Sequence, residues 1–100
     1  MKLRPSMKQL EYFTVLAQTE HCAEAADRCH VTASTLSTGI KELESILGLE
    51  LAERTNRSVL LTPIGLQVAE QARLILNATD AMMDMTRQAS HGLLTGNLRL

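Results

Sequence analysis

Between Thr32 and Gly48 the apolar residues Leu36, Ile40, Leu43 and Leu47 recur at steps of four, three and four. That is the period of a helix with one buried face, so this stretch must lay a leucine-rich seam on something else. Thr32 stands where an N-cap belongs, its hydroxyl free to accept an orphan N–H, and Gly48 suits a left-handed C-cap. Just upstream, Ala25, Ala26 and Cys29 give a small-residue face that permits close helix approach, and His30-Val31 interrupts the pattern. Residues 23–47 therefore read as two short helices joined by a tight turn. With Leu36 at zero and about 100° per residue, Ser34, Ser37, Thr38 and Lys41 fall roughly opposite the seam. Small hydroxyls and one lysine on an outward helix face suit a DNA major groove, where they can meet base edges and phosphates. A helical hairpin merely exposed to water would carry the same polar face.

The flanks supply partners for the seam. Residues 7–19 predict a first helix with Leu10, Phe13, Leu16 and Ala17 inward and Lys8, Glu11 and Gln18 outward, preceded by Pro5 and a capping Ser6. Gly39, inside the second hairpin helix, costs about 1 kcal/mol relative to alanine. It marks a close approach, either of a neighbouring helix or of a DNA backbone. Residues 51–54 and 58–61 read as two short arms around Thr55-Asn56-Arg57, a small β-hairpin. Beside a helix-turn-helix such a hairpin is a wing, and Arg57 at its tip would reach the minor groove. Arg54 fits a phosphate contact or an ion pair with Glu50 or Glu53 equally well.

Thr62-Pro63 is a hydroxyl N-cap followed by proline at the first helical position. No proline follows before His91, which predicts a helix of about 29 residues, about 43 Å long. Its stripe runs Val68, Ala72, Ile75, Thr79 and Met82, widened by Ala69, Leu76 and Met83. Alternating steps of four and three are coiled-coil spacing, and a helix that overshoots its own domain needs a second surface. The expected partner is the same helix of a second copy, met across Val68, Ala72, Ile75, Leu76, Thr79, Met82 and Met83. Gly92 is expected to end the helix, and Leu98-Arg99-Leu100 to begin a strand of a further domain. The organisation predicted is 1–62 winged domain, 63–91 linker helix, 92–100 hinge.

Ten Lys and Arg against eleven Asp and Glu give a net charge of −1, unusual for a nucleic-acid binder. The basic groups must then be sorted to one face, and the rival reading is a winged interaction module that dimerises without touching DNA. At 2% aromatic content, recognition of single strands by base stacking is disfavoured. No segment approaches the ~20 apolar residues of a membrane span, and the start lacks a secretory signal. Two cysteines make no disulfide framework, and a cytoplasmic setting fits. His21, Cys22, Cys29 and His30 match no familiar zinc spacing, and a core role for the cysteines is the simpler expectation. No nucleophile, acid–base or phosphate-loop arrangement is present, so neither an enzyme nor a cofactor or metal site is expected.

Taken in order, helix, helix-turn-helix, wing and long helix closely resemble the N-terminal DNA-binding region of LysR-type transcriptional regulators. The resemblance is carried by Leu10-Glu11-Tyr12-Phe13, Ala25-Ala26, His30-Val31-Thr32, Thr35-Leu36-Ser37, Leu43-Glu44, Leu47-Gly48, Glu53-Arg54, Arg57, and Leu61-Thr62 with Gly65. Within the family, AADRCHV and ERTNRSVLLT look most like the hydrogen-peroxide-sensing, OxyR-like subgroup. The resemblance implies a mainly α fold: a winged helix-turn-helix of three helices and a short β-hairpin wing, followed by a long linker helix that dimerises. It implies double-stranded DNA as partner, an operator with an interrupted dyad, and tetramers of full-length chains. By position it puts groove contacts on Thr32, Ala33, Ser34, Ser37 and Thr38, the minor-groove arginine on Arg57, and Arg54 near phosphate. Four departures stand out. Ala33-Ser34 replaces the usual Gln-Pro, Gly39 a frequent glutamine, Ala52 the bulky wing phenylalanine, and His21-Cys22 a hydroxyl and an aromatic. The first removes a long amide that would read adenine, so the target expected differs from the family's commonest.

Overall fold

A computed structural model describes residues 3–55 and 58–94, with side chains as far as residue 90. Three helices, α1 (Met7–Thr19), α2 (Cys22–Cys29) and α3 (Ala33–Leu47), precede a hairpin of β1 (Ala52–Arg54) and β2 (Val59–Leu61), and α4 (Pro63–Leu94) follows. Each boundary has a local cause. Ser6 caps α1 through a reciprocal box with Gln9, the amide of each residue donating to the other's side chain. Thr32 caps α3 by accepting from the Thr35 amide at 3.1 Å. At its far end Gly48 takes φ 73°, the left-handed conformation that glycine adopts without steric cost. α2 closes on His30 at φ 60°, with the Val31 amide returning to the Ala26 carbonyl at 3.0 Å. Glu20 ends α1 at φ 62°. Its carbonyl accepts the Val59 amide at 2.9 Å, which ties this corner to β2.

The core lies where α1, α2 and α3 meet under the hairpin and the first half of α4. Phe13, Leu16, Leu36, Ile40, Leu43 and Leu51 are its largest fully buried side chains. Two residues depart from the expected stripes. Tyr12, 8% exposed, is buried beside Phe13, whereas Ala17 is only half-buried. The cause is Gly39: a Cβ there would stand 2.7 Å from the Tyr12 ring, so the missing side chain is what admits the ring. Of the two explanations for Gly39, helix approach is the one observed. Leu47 stays 37% exposed instead of finishing the seam. The chain turns at Gly48 and brings Leu51 into the core in its place.

The wing is held by polar bonds at its root. The Glu44 carboxylate accepts from the amides of Leu51 (2.8 Å) and Ala52 (3.4 Å). The Thr62 amide donates to the Leu51 carbonyl and its hydroxyl to the Glu50 carbonyl. The strands pair antiparallel with Glu53 opposite Leu60, each one residue shorter than the sequence predicts. Thr55 and Ser58 close the turn; Asn56 and Arg57 lie outside the described residues. As expected, the Thr62 hydroxyl caps α4, accepting the Gly65 amide at 3.0 Å.

α4 corrects two expectations. It runs through Gly92 to Leu94, because an interior glycine weakens a helix by about 1 kcal/mol without stopping it. The strand expected at Leu98-Arg99-Leu100 lies outside the described residues. The seven-residue dimer stripe also divides. Ala72 is buried in its own protomer, Val68 and Leu76 pack on the core, and Thr79 is half-buried, its hydroxyl donating to the Ile75 carbonyl at 3.0 Å and lying 3.8 Å from the Met7 sulfur. Ala72 is thus closed to a second copy, while Val68, Leu76 and Thr79 are partly covered by their own protomer. Ile75, Met82 and Met83 are exposed, as are Leu74 and Met85. Periodicity counted one stripe where the helix carries two apolar faces, and only packing tells them apart. From Ala81 to Ser90 every residue is exposed.

Candidate nucleic-acid interface

The Thr32 cap and the Leu36–Ile40–Leu43 seam fix the rotation of α3 about its axis. Burying the seam turns Ala33, Ser34, Thr38 and Lys41 outward, all exposed, with Ser37 half-exposed at the edge. The outward polar face expected of this helix is therefore present. Thr32 itself is largely committed: its hydroxyl accepts the Thr35 amide and donates to the Thr35 hydroxyl at 2.9 Å. Thr35 escaped the sequence reading. It is exposed on the same first turn, and as the acceptor of the Thr32 bond it keeps its own proton to donate outward. The signal was the Thr32-x-x-Thr35 spacing, which places two hydroxyls across one cap.

Charge is sorted as a near-neutral DNA binder requires. On α2 and α4 three arginines are paired with carboxylates of their own helix: Arg28 with Glu24 at 3.0 Å, Arg87 with Asp84 at 3.2 Å, and Arg73 with Glu70. Such exposed pairs add little stability, but they neutralise those surfaces. The Arg73 pair holds the Glu70 carboxyl below its ordinary range through a hydrogen bond and the adjacent positive charge. Lys41 and Arg54, by contrast, have no carboxylate within 4 Å among the described residues. For Arg54 this decides against the ion pair with Glu50 or Glu53; Glu53 is its strand neighbour, and successive strand side chains leave opposite faces. Arg54 instead lines a groove between wing and α2 with His21, Cys22, Thr55 and Ser58. Arg57, the expected minor-groove residue, lies outside the described residues.

The two Cys–His neighbours do not converge. Cys22 opens α2 at the wing and Cys29 closes it, about 10 Å apart at 1.5 Å per residue. Among the described residues no three His, Cys, Asp or Glu side chains are grouped to hold a metal. Both thiols pack at the edge of the core. Burial pushes the Cys29 thiol up, Glu11 adds to the rise, and Lys8 opposes it. An unfolded cysteine ionises near about 8.5, so above that pH the unfolded chain loses its proton before the folded one does. Stability present below about pH 8.5 should therefore fall as pH rises through the folded value. In urea titrations from neutral to alkaline pH, Cys29→Ala should flatten that decline. An identical slope in the variant would remove Cys29 as its source.

Residues 7–66 match the family described as bacterial regulatory helix-turn-helix protein, lysR family. The chain is 47% identical, over all 100 residues, to the HTH-type transcriptional regulator EstR of Acinetobacter baylyi, covering 33% of that protein. It is 42% identical over 83 residues to the DNA-binding transcriptional dual regulator OxyR of Escherichia coli, covering 83% of this chain and 27% of that one. The chain thus spans about a third or less of the length of these relatives. Among solved structures, the BenM DNA-binding domain in complex with catB site 1 DNA superposes with a TM-score of 0.82 at 32% identity. That likeness covers 87% of this chain and 94% of the other.

Proposed function

The chain belongs to the lysR family of bacterial regulatory helix-turn-helix proteins, and on that premise we propose that it binds double-stranded DNA sequence-specifically as the operator-reading part of a transcriptional regulator. α3 enters the major groove with Ala33, Ser34, Ser37, Thr38 and Lys41 toward the bases and phosphates. Thr32 holds the cap, Arg54 meets a backbone phosphate, and Arg57 enters the minor groove. The observation that carries this reading is the distribution of charge: Lys41 on α3, Arg54 on the wing, and Arg4 and Lys8 at the start of α1 have no carboxylate within 4 Å among the described residues, while Arg28, Arg73 and Arg87 are paired on α2 and α4. With Ala33 in place of a long amide, contact at that position reduces to a thymine methyl.

Two copies act together through the outer apolar face of α4, Leu74, Ile75, Met82 and Met85, and through Met83, which continues the line of Ala72, Leu76 and Thr79 past the end of the core. A symmetric pair reads two half-sites of an interrupted dyad, and full-length chains assemble further into tetramers. The protein works on DNA in the cytoplasm, and its role is regulation rather than catalysis. Among the described residues no helix is long and apolar enough to cross a membrane.

Affinity for duplexes selected from a random pool, measured across salt concentrations, tests the reading. Log affinity should fall linearly with log salt, by about 0.9 per phosphate neutralised. Arg57→Ala should lower affinity and reduce that slope by roughly one phosphate. Ser34→Ala and Thr38→Ala should instead erode the preference for selected over random duplex, by about 1 kcal/mol each. Binding without a salt slope would favour the interaction-module alternative.

A further inference from the structure

The first turn of α1 has no part in the reading above, yet it forms one wall of a groove along α3. Ser6, Lys8 and Tyr12 face Ser34, Thr35 and Thr38 across it, with Glu42 farther along. An α-helix with its side chains is about 10–12 Å across, and the major groove is about 12 Å wide. A helix seated there therefore brings whatever packs on its flanks against the phosphate walls. With Leu36 at zero, Thr35, Gly39 and Glu42 lie on one flank of α3, and α1 packs on that flank, the Tyr12 ring against Gly39.

Lys8 is exposed and has no carboxylate within 4 Å among the described residues, although Glu11 follows it by one helical turn and Glu42 lines the same groove. Its charge acts on the Cys29 thiol at the end of α2, which sets Lys8 toward the N-terminal end of α3. That is the end bearing Thr35, whose proton is left to donate outward. Glu42 lies two turns farther on, where Gln9 donates to its carboxylate at 3.4 Å. Among the residues that line the groove, a cation and a hydroxyl donor thus meet at one end and the carboxylate, Glu42, sits at the other; Glu11, which also acts on the Cys29 thiol, lies outside that lining.

We propose that this end of the groove is a further DNA-backbone site, in which Lys8 and Thr35 hold one phosphate of the strand that runs past α1. The proposal rests on the DNA-binding reading of α3 and extends the footprint to a helix outside the helix-turn-helix pair.

Salt-dependent binding of the chain to a selected and a random duplex tests it, using Lys8→Gln, Lys8→Arg and Thr35→Val. Lys8→Gln should lose roughly 5- to 10-fold on both duplexes and flatten the log–log salt slope by about 0.9. Lys8→Arg should keep the wild-type slope. Thr35→Val should weaken both duplexes several-fold with the slope unchanged, since a hydroxyl neutralises no charge. Wild-type slope and affinity in Lys8→Gln would overturn the site while leaving α3 as the reading helix. Absence of salt-dependent binding in the wild type would overturn both. Thermal unfolding of each variant, expected to match the wild type at these exposed positions, separates lost contact from lost fold.

Discussion

Gly65→Ala is expected to destabilise the protein by up to about 3 kcal/mol, although alanine is the better helix former. Gly65 is buried in the first turn of α4, beneath the root of the wing. A Cβ there would overlap the carbonyl oxygen of Leu51 and come within 2.9 Å of its carbon. That oxygen cannot step aside cheaply, because it accepts the Thr62 amide at 3.0 Å and belongs to a residue with no exposed surface. Overpacking of this kind costs about 1–3 kcal/mol, and losing the Thr62–Leu51 bond adds about 1. The gain in helix propensity returns about 1 kcal/mol at most. Against a total stability of about 5–15 kcal/mol, the shift in Tm should reach up to roughly 20 °C, read by circular dichroism. Gly39→Ala should cost less, since its 2.7 Å neighbour is a side-chain ring rather than backbone. A Gly65→Ala protein that melts with the wild type would refute the close approach of wing root and helix.

The second large effect is expected at Glu44. Its carboxylate lies on the inner flank of α3 and takes the amides of Leu51 and Ala52, so one side chain joins the reading helix to the wing. Hydrogen bonds to a charged acceptor contribute about 1.5–3 kcal/mol, and an amide left without a partner adds to the loss. Glu44→Ala should therefore cost about 2–3 kcal/mol, and Glu44→Gln, which retains an acceptor oxygen, less. The change should also weaken DNA binding, because Arg54 sits on the hairpin whose root it frees. Amide hydrogen exchange checks this directly: protection at Leu51 should fall toward that of local opening while protection at Leu36 and Ile40 holds. Unaltered exchange at Leu51 would mean that the root is held by the Thr62 bonds alone.

Both residues stand in the motif Leu43-Glu44 … Leu61-Thr62 … Gly65, which was visible in the chain as a resemblance without a physical reason. The reason is contact between segments far apart in sequence. Thr35 was overlooked on similar grounds, since its value lies in a bond to Thr32 that leaves one proton spare. Tyr12 has no place in the inward stripe that the period of α1 predicts, because its ring packs at Gly39, twenty-seven positions away.

The starts of α1, α3 and α4 and the end of α3 needed no tertiary information, because the signals are local. The hydroxyl caps at Ser6, Thr32 and Thr62, the left-handed stop at Gly48 and proline at the first turn of α4 act within three or four residues, and so does the Leu36–Ile40–Leu43 period. They also turned Ser34, Thr38 and Lys41 outward, since a helix with one apolar face has only one way to bury it. Which apolar face meets which partner was decided by the folded chain. Val68, Ala72 and Leu76 went to α1 and Ile75 and Met82 to the surface, and Leu51 displaced Leu47 from the core. A period records that a residue is apolar and where it lies around an axis; what covers it depends on distant segments competing for the same space.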